Sequence, residues 1–154
     1  MTDPTAADIA AAALAATAAP TEADTVSAMA QLADVAGHTS TMLFNYRRNN
    51  SGAQGDDAAI ARALNLEMTL DQRAIDLRVQ AVKLLGTQSA DAIAQVKEAS
   101  RKVDDFLAGV KKIEGQLVVA SAVIGLASAA LVGDAGGVLS AVAGVHTALK
   151  SAQA

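Results

Sequence analysis

The two histidines, His38 and His146, are the side chains with the most direct capacity for chemistry in this sequence. A ferritin-like di-metal bundle needs a Glu-x-x-His pair on each of two helices. The residue three positions before His38 is Val35, and Ala143 holds that place before His146. No metal is therefore predicted. We expect His38 to be a hydrogen-bonded or exposed structural residue, with a ligand or pH-switch role as the alternative.

Motifs for a nucleophile or a phosphate site are not found. The stretch GHTST (37–41) sets hydroxyls beside a histidine, but it lacks the Gly-x-Ser-x-Gly elbow and falls within a predicted helix. GDAGG (133–137) lacks the lysine and preceding strand of a phosphate loop. The acidic residues Glu67 and Asp71 are expected on a solvated helix face. We predict a non-enzymatic protein without cofactor or small-molecule substrate; scattered catalytic residues are the alternative.

Charge is distributed unevenly along the chain. Residues 1–46 carry five acids and no base, and residues 47–115 carry eleven of the twelve basic residues with ten acids. No basic stripe accompanies the three aromatic residues, so nucleic acid is not expected as a partner. Arg47 and Arg48 in NYRRNN (45–50) are expected to complement a helix dipole, with an anionic surface as the alternative.

The elements that position these residues are predicted to be helices throughout. Both prolines lie within the first 20 residues, and alanine and leucine favour helices. We predict an all-α fold, an elongated antiparallel bundle of four or five helices. One domain would comprise an Ala-rich helix or arm (1–20), charged amphipathic helices (21–114) and an apolar hairpin (115–150). The start is acidic, unlike a signal peptide, and localisation is left open.

Residues 93–131 follow a heptad repeat whose seam is typical of coiled-coil packing. Its positions are Ile93, Val96, Ser100, Val103, Leu107, Val110, Glu114, Leu117, Ser121, Ile124, Ser128 and Leu131. One helix from Ser89 to Val132 would be about 65 Å long. The alternative is a break near Gly109 or Gly115. Glu98 with Lys102, and Arg101 with Asp105, are spaced as outer-face ion pairs.

The hairpin combines small residues at four-residue spacing with apolar ones. Small residues allow close approach of helix backbones, and the predicted helix-contact residues are Gly125, Ala129, Gly133, Gly137, Ser140 and Gly144. The predicted apolar contact surface is Val119, Val123, Leu126, Val138, Val142 and Val145. Gly115–Gly133 is uncharged and would span about 28 Å as a helix, close to a bilayer core. A buried core, a shielded membrane hairpin and a surface for copies of the chain all remain open.

Two resemblances bear on function. A charged helical stalk beside one apolar hairpin resembles the layout of the α-helical pore-forming toxins, which implies a shielded segment released into a membrane during oligomerisation. Ser27–Asn50, SAMAQLADVAGHTSTMLFNYRRNN, resembles the Ala/Met-rich helix of R-body subunits of the killing-trait family, although the Gln-rich tract expected after it is absent. Neither resemblance transfers a functional residue.

The function predicted from these features is self-association. We expect a homo-oligomer whose C-terminal hairpin mediates assembly or membrane interaction. A soluble helical adaptor or structural subunit, R-body-like in its assembly, is the alternative. Under the first prediction, Gly125→Leu disrupts assembly and leaves the helix intact.

Overall fold

Five helices form the part of the chain that the computed structural model describes, residues 22–50, 57–80, 90–109 and 112–153. Their bounds are α1 Glu22–Asn49, α2 Asp57–Gln80, α3 Ala90–Gly109, α4 Ile113–Val132 and α5 Ala135–Gln153. Helix accounts for 96% of these residues and strands for none, so the all-α class is confirmed. The predicted N-terminal helix or arm (1–20) lies outside the described residues.

The predicted continuous long helix is interrupted. α3 ends at Gly109 and α4 begins at Ile113. Lys112, the residue before α4, has an extended backbone with φ −97° and ψ 134°, which cannot continue a helix. The single rod from Ser89 to Val132 is therefore wrong, and the alternative of a break near Gly109 is confirmed. The break allows α4, which is apolar nearly all round, to pack against other helices.

The helices pack in two layers. α1 contacts α2, α3 and α4, while α4 also contacts α2 and α5, and α3 contacts α5. These contacts place α1 between α2 and α3 in one layer, and the hairpin of α4 and α5 forms the second layer. The core lies between the layers. One face of the hairpin therefore points into the protein and the other points away from it.

The core stripes predicted for the first three helices are confirmed at most positions. Helical spacing brings apolar residues to one face, and burial follows it in α1 at Met29, Ala33, Ala36 and Leu43. The same holds in α2 at Ala63, Leu70, Ala74 and Leu77, and in α3 at Ile93, Val96, Ser100 and Val103. Leu66 of α2 and Leu107 of α3 are partly buried at the edge of this core, and Val26 of α1 is 37% exposed.

The heptad seam fails beyond the break. In α4 the predicted seam positions Glu114 and Ser121 are exposed, although Leu117 is buried. The buried face lies one residue earlier along the chain, at Gln116, Val119, Ala120, Val123, Leu126, Ala127 and Ala130. A new helix axis starts at Ile113, so the heptad phase of α3 no longer fixes which side of α4 faces the core.

A tight turn joins α4 to α5, as the GDAGG stretch predicts. Gly133 ends α4 with φ 80°, and its N–H donates to the carbonyl oxygens of Ala129 and Ala130 at 3.2 and 3.1 Å. This left-handed conformation favours glycine. The Asp134 carboxylate accepts a hydrogen bond from the Gly137 N–H at 3.1 Å and so caps α5.

Candidate functional site: the outer face of the C-terminal hairpin

The six residues predicted to supply an apolar contact surface lie inside the chain. Val119, Val123, Leu126, Val138, Val142 and Val145 are all at most 3% exposed. They belong to the single core cluster formed with α1, α2 and α3. In this fold they are therefore core residues rather than a surface, because α4 and α5 turn these side chains toward the three-helix layer.

The opposite side of the hairpin is exposed and uncharged; we call it the hairpin outer face. It comprises Val118, Ser121, Gly125, Ala129 and Val132 on α4, with Gly136, Ser140, Ala143, Gly144 and Thr147 on α5. Ala129 is partly buried and the others, including Val132 at 79%, are exposed. Glu114, Asp134 and Lys150 are the charged residues at its ends. Val118 and Val132 are the exposed large apolar side chains of this face.

The structure places the predicted helix-contact residues in two groups. Gly125, Ser140 and Gly144 lie on the hairpin outer face, with Ala129 at its margin. Gly133 and Gly137 serve the turn instead, the first through its positive φ and the second through its hydrogen bond to Asp134. None of them brings the backbones of α4 and α5 into a glycine-mediated contact.

Two glycines of the outer face have no partner within the fold. A Cβ added at Gly125 or Gly144 would meet no atom of the described chain within 4 Å. Gly115 is different, since a Cβ there would lie 3.3 Å from the Ala152 Cβ and 3.6 Å from Phe106. Gly37 of α1 is also open, but it lies beside Asp34 and His38 on a polar surface. The fold itself thus needs Gly115 but does not need Gly125 or Gly144.

Gly125→Ala is expected to raise the free energy of unfolding of the monomer by about 0.5–1 kcal/mol. The reason is that alanine costs less conformational entropy in a helix and meets no neighbour there. Urea unfolding at low protein concentration measures the change. Gly115→Ala is the matched comparison, because its new methyl group must displace Ala152. Equal effects at the two positions would contradict this assignment of the glycines.

A partly buried ion pair, with Glu67 as its buried member, joins α1 to α2. The Arg47 side chain donates to both carboxylate oxygens of Glu67, through Nη2 to Oε1 at 3.0 Å and through Nε to Oε2. The expectation that Glu67 is solvated is therefore wrong, since the residue is only 6% exposed. The hydrogen bond to Glu67 raises the pKa of Arg47 above its ordinary value. Arg47 thus acts between helices, beyond any effect on the α1 dipole.

Further contacts between charged or titratable side chains lie on exposed surfaces. His38 Nδ1 lies 2.9 Å from Asp104 Oδ1 and links α1 to α3, so His38 is hydrogen-bonded, as expected. The two predicted ion pairs of α3 are present, with Lys102 Nζ 3.6 Å from Glu98 and Arg101 Nη1 3.3 Å from Asp105. Hydrogen bonding from Arg101 lowers the pKa of Glu98, and the same contact raises the pKa of Arg101.

An open groove of about 610 Å³ lies between α3 and α5. Arg101, Lys102, Asp105, His146 and Lys150 line it, above the apolar side chains of Phe106 and Leu149. Glu98 and Asp105 already bond Arg101, and Glu98 also lies near Lys102. The groove therefore mixes paired charges of both signs, and it shows no convergent arrangement of a nucleophile and a base.

The described residues contain no group of three or more His, Cys, Asp or Glu side chains placed to hold a metal ion. Ile113–Val132 is the one described helix long and apolar enough to cross a membrane, with a mean hydropathy of 2.0. Half of that apolar window is buried within the bundle.

Comparisons with known proteins return no match: no family model, curated protein or solved structure matches this chain.

Proposed function

We propose that this chain is a non-enzymatic helical protein that self-associates through its C-terminal hairpin, with the hairpin outer face as the contact surface. The observation that carries the proposal is that this two-helix face is exposed yet uncharged between Val118 and Thr147, apart from Asp134 in the turn. Exposed apolar side chains grouped on one face typically mark interaction sites, and Val118 and Val132 lie on this face among small uncharged residues.

The open glycines support the same proposal. Each glycine inside a helix costs up to about 1 kcal/mol relative to alanine. Nothing in the described chain approaches Gly125 or Gly144 closely enough to explain that cost. A neighbouring helix of another molecule would explain it, because a surface without Cβ atoms allows two backbones to approach closely.

Insertion of the hairpin into a membrane is the second candidate, and the length and hydropathy of α4 favour it. It requires a larger rearrangement, since the valines of α4 and α5 would have to leave the core. The third candidate is a soluble adaptor or structural subunit that binds another protein. The exposed apolar side chains of α2, Leu64, Met68, Ile75 and Val79, favour this third candidate.

Gly125→Leu tests the proposal. The variant is expected to keep its helix content and to lose self-association, because the leucine side chain separates the two backbones. Sedimentation velocity over a wide range of protein concentration measures the mass in solution, and liposome flotation is run in parallel. Gly37→Leu is the matched control, since Gly37 is also an open mid-helix glycine but lies on a polar surface.

Each outcome of this test has a clear meaning. Loss of the oligomer in Gly125→Leu but not in Gly37→Leu supports assembly through the hairpin outer face. Wild-type flotation that Gly125→Leu abolishes favours the membrane candidate. If neither the oligomer mass nor lipid binding changes in Gly125→Leu, the proposal fails.

A further inference from the structure

A second exposed apolar surface lies on α2; we call its four large side chains the α2 ridge. Leu64, Met68, Ile75 and Val79 are 41%, 65%, 56% and 70% exposed. At 3.6 residues per turn they fall within about 60° of one another around the helix, and they extend over about 22 Å. Four side chains of this size on one exposed stripe form an apolar ridge that is in contact with solvent in the single chain.

The α2 ridge points away from the hairpin. α2 packs against α1 in its own layer and against α4 in the other layer. Arg73 marks the side of α2 that faces α4, because its Nε donates to Ser128 Oγ at 3.2 Å. Around the α2 helix, Arg73 lies about 150° from the centre of the ridge. The ridge and the hairpin outer face therefore lie on opposite sides of the two-layer bundle.

The two surfaces match in length and are complementary in the size of their side chains. The ridge presents large apolar side chains, whereas the hairpin outer face is built mostly of Gly, Ser and Ala with an open position at Gly125. From Val118 to Val132 the face is about 21 Å long, which matches the ridge. Asp71, exposed beside the ridge, would meet no like charge there, because the face is uncharged.

Pairing of like surfaces explains these features less well. Two hairpin outer faces brought together would bury few large side chains, so the gain from apolar burial would be small. Two α2 ridges brought together would leave both hairpin outer faces in water. Docking of the α2 ridge of one copy on the hairpin outer face of another covers both surfaces with one kind of contact.

We propose that the α2 ridge of one copy docks on the hairpin outer face of the next copy. This inference rests on the proposed function and identifies the partner of the hairpin as α2 of another chain. Such a contact is heterologous, because it joins two different surfaces. These surfaces lie on opposite sides of the bundle, so an assembly of any length keeps one free α2 ridge at one end and one free hairpin outer face at the other. The assembly therefore grows head to tail.

Mixing two blocked variants tests this contact. Met68→Glu places a charge in the α2 ridge and leaves the hairpin outer face intact. Gly125→Glu places a charge in the hairpin outer face and leaves the α2 ridge intact. Asn45→Glu adds the same charge at an exposed position of α1 and serves as the control. Masses are measured by sedimentation velocity for wild type, for each variant and for the equimolar mixture, with circular dichroism to check folding.

We expect wild type and Asn45→Glu to form a concentration-dependent series of oligomers. Each blocked variant alone should sediment as a monomer of 15.4 kDa. The mixture should form a complex of twice that mass and no larger one, because one intact ridge and one intact face then meet.

The contrary outcomes separate this inference from the proposed function. Assembly of Met68→Glu like wild type overturns the ridge contact and leaves assembly through the hairpin intact. Assembly of Gly125→Glu like wild type overturns both. A mixture that stays monomeric, with both variants folded, overturns the head-to-tail contact. Wild type that stays monomeric at every concentration overturns both proposals.

Discussion

Leu126→Ala is expected to lower the free energy of unfolding by about 2–5 kcal/mol. Leu126 is 1% exposed and belongs to the core between the two helix layers. Truncation removes its apolar contacts and leaves a cavity that the surrounding helices can fill only in part. Urea unfolding, followed by circular dichroism at a concentration where wild type is monomeric, measures the loss.

Leu139→Ala provides the comparison within the same hairpin. Leu139 is 37% exposed, so its truncation should cost much less than that of Leu126. This difference distinguishes a hairpin packed in the core from a hairpin held loosely on the surface. Equal, small losses at both positions would show that the hairpin does not pack in the free chain, and would favour its ready release into a membrane.

Glu67→Gln is expected to lower the free energy of unfolding at pH 7 by about 1.5–3 kcal/mol, the range for hydrogen bonds to charged groups. The substitution keeps the size of the side chain but removes the charge that Arg47 bonds at both carboxylate oxygens. Because Glu67 is nearly buried, water cannot replace the lost contact at the carboxylate. The urea midpoint for unfolding measures the effect.

Asp34→Asn is the matched control for Glu67→Gln. Asp34 also accepts a hydrogen bond from an arginine, Arg78, and joins the same two helices. Its side chain is 58% exposed, and exposed ion pairs contribute only about 0–1 kcal/mol. If Asp34→Asn destabilises the protein as much as Glu67→Gln, burial is not what makes the Arg47 contact important.

Much of the architecture can be predicted from the sequence because helical periodicity is a local property. Residues three and four positions apart share a face of any helix, so the stripes of α1, α2 and α3 follow from spacing alone. The same reasoning locates the turn at Gly133, where glycine and a capping aspartate lie together. Ion pairs within α3 are predictable for the same reason.

Contacts between helices cannot be predicted in this way. Spacing alone suggests that Glu67 and Asp71 are both solvated, yet Glu67 meets an arginine twenty positions earlier in the chain. Nor does spacing show that the four large apolar side chains Leu64, Met68, Ile75 and Val79 of α2 stay exposed in the fold. Helical spacing places Leu64 on a different face from the buried stripe that contains Leu70, but whether that face gains a partner depends on how α1 and α4 pack against α2.

The sequence by itself determined that this protein is helical, that residues 116–154 carry only the charges of Asp134 and Lys150, and that small residues recur there. Tertiary structure alone decided which side of the hairpin is buried. α4 is apolar nearly all round, so no polar stripe fixes its rotation, and the heptad phase of α3 is lost at the break near Lys112. Packing against α1 and α2 then turns Val119 and Val123 inward and leaves Gly125, with Gly144 of α5, facing out.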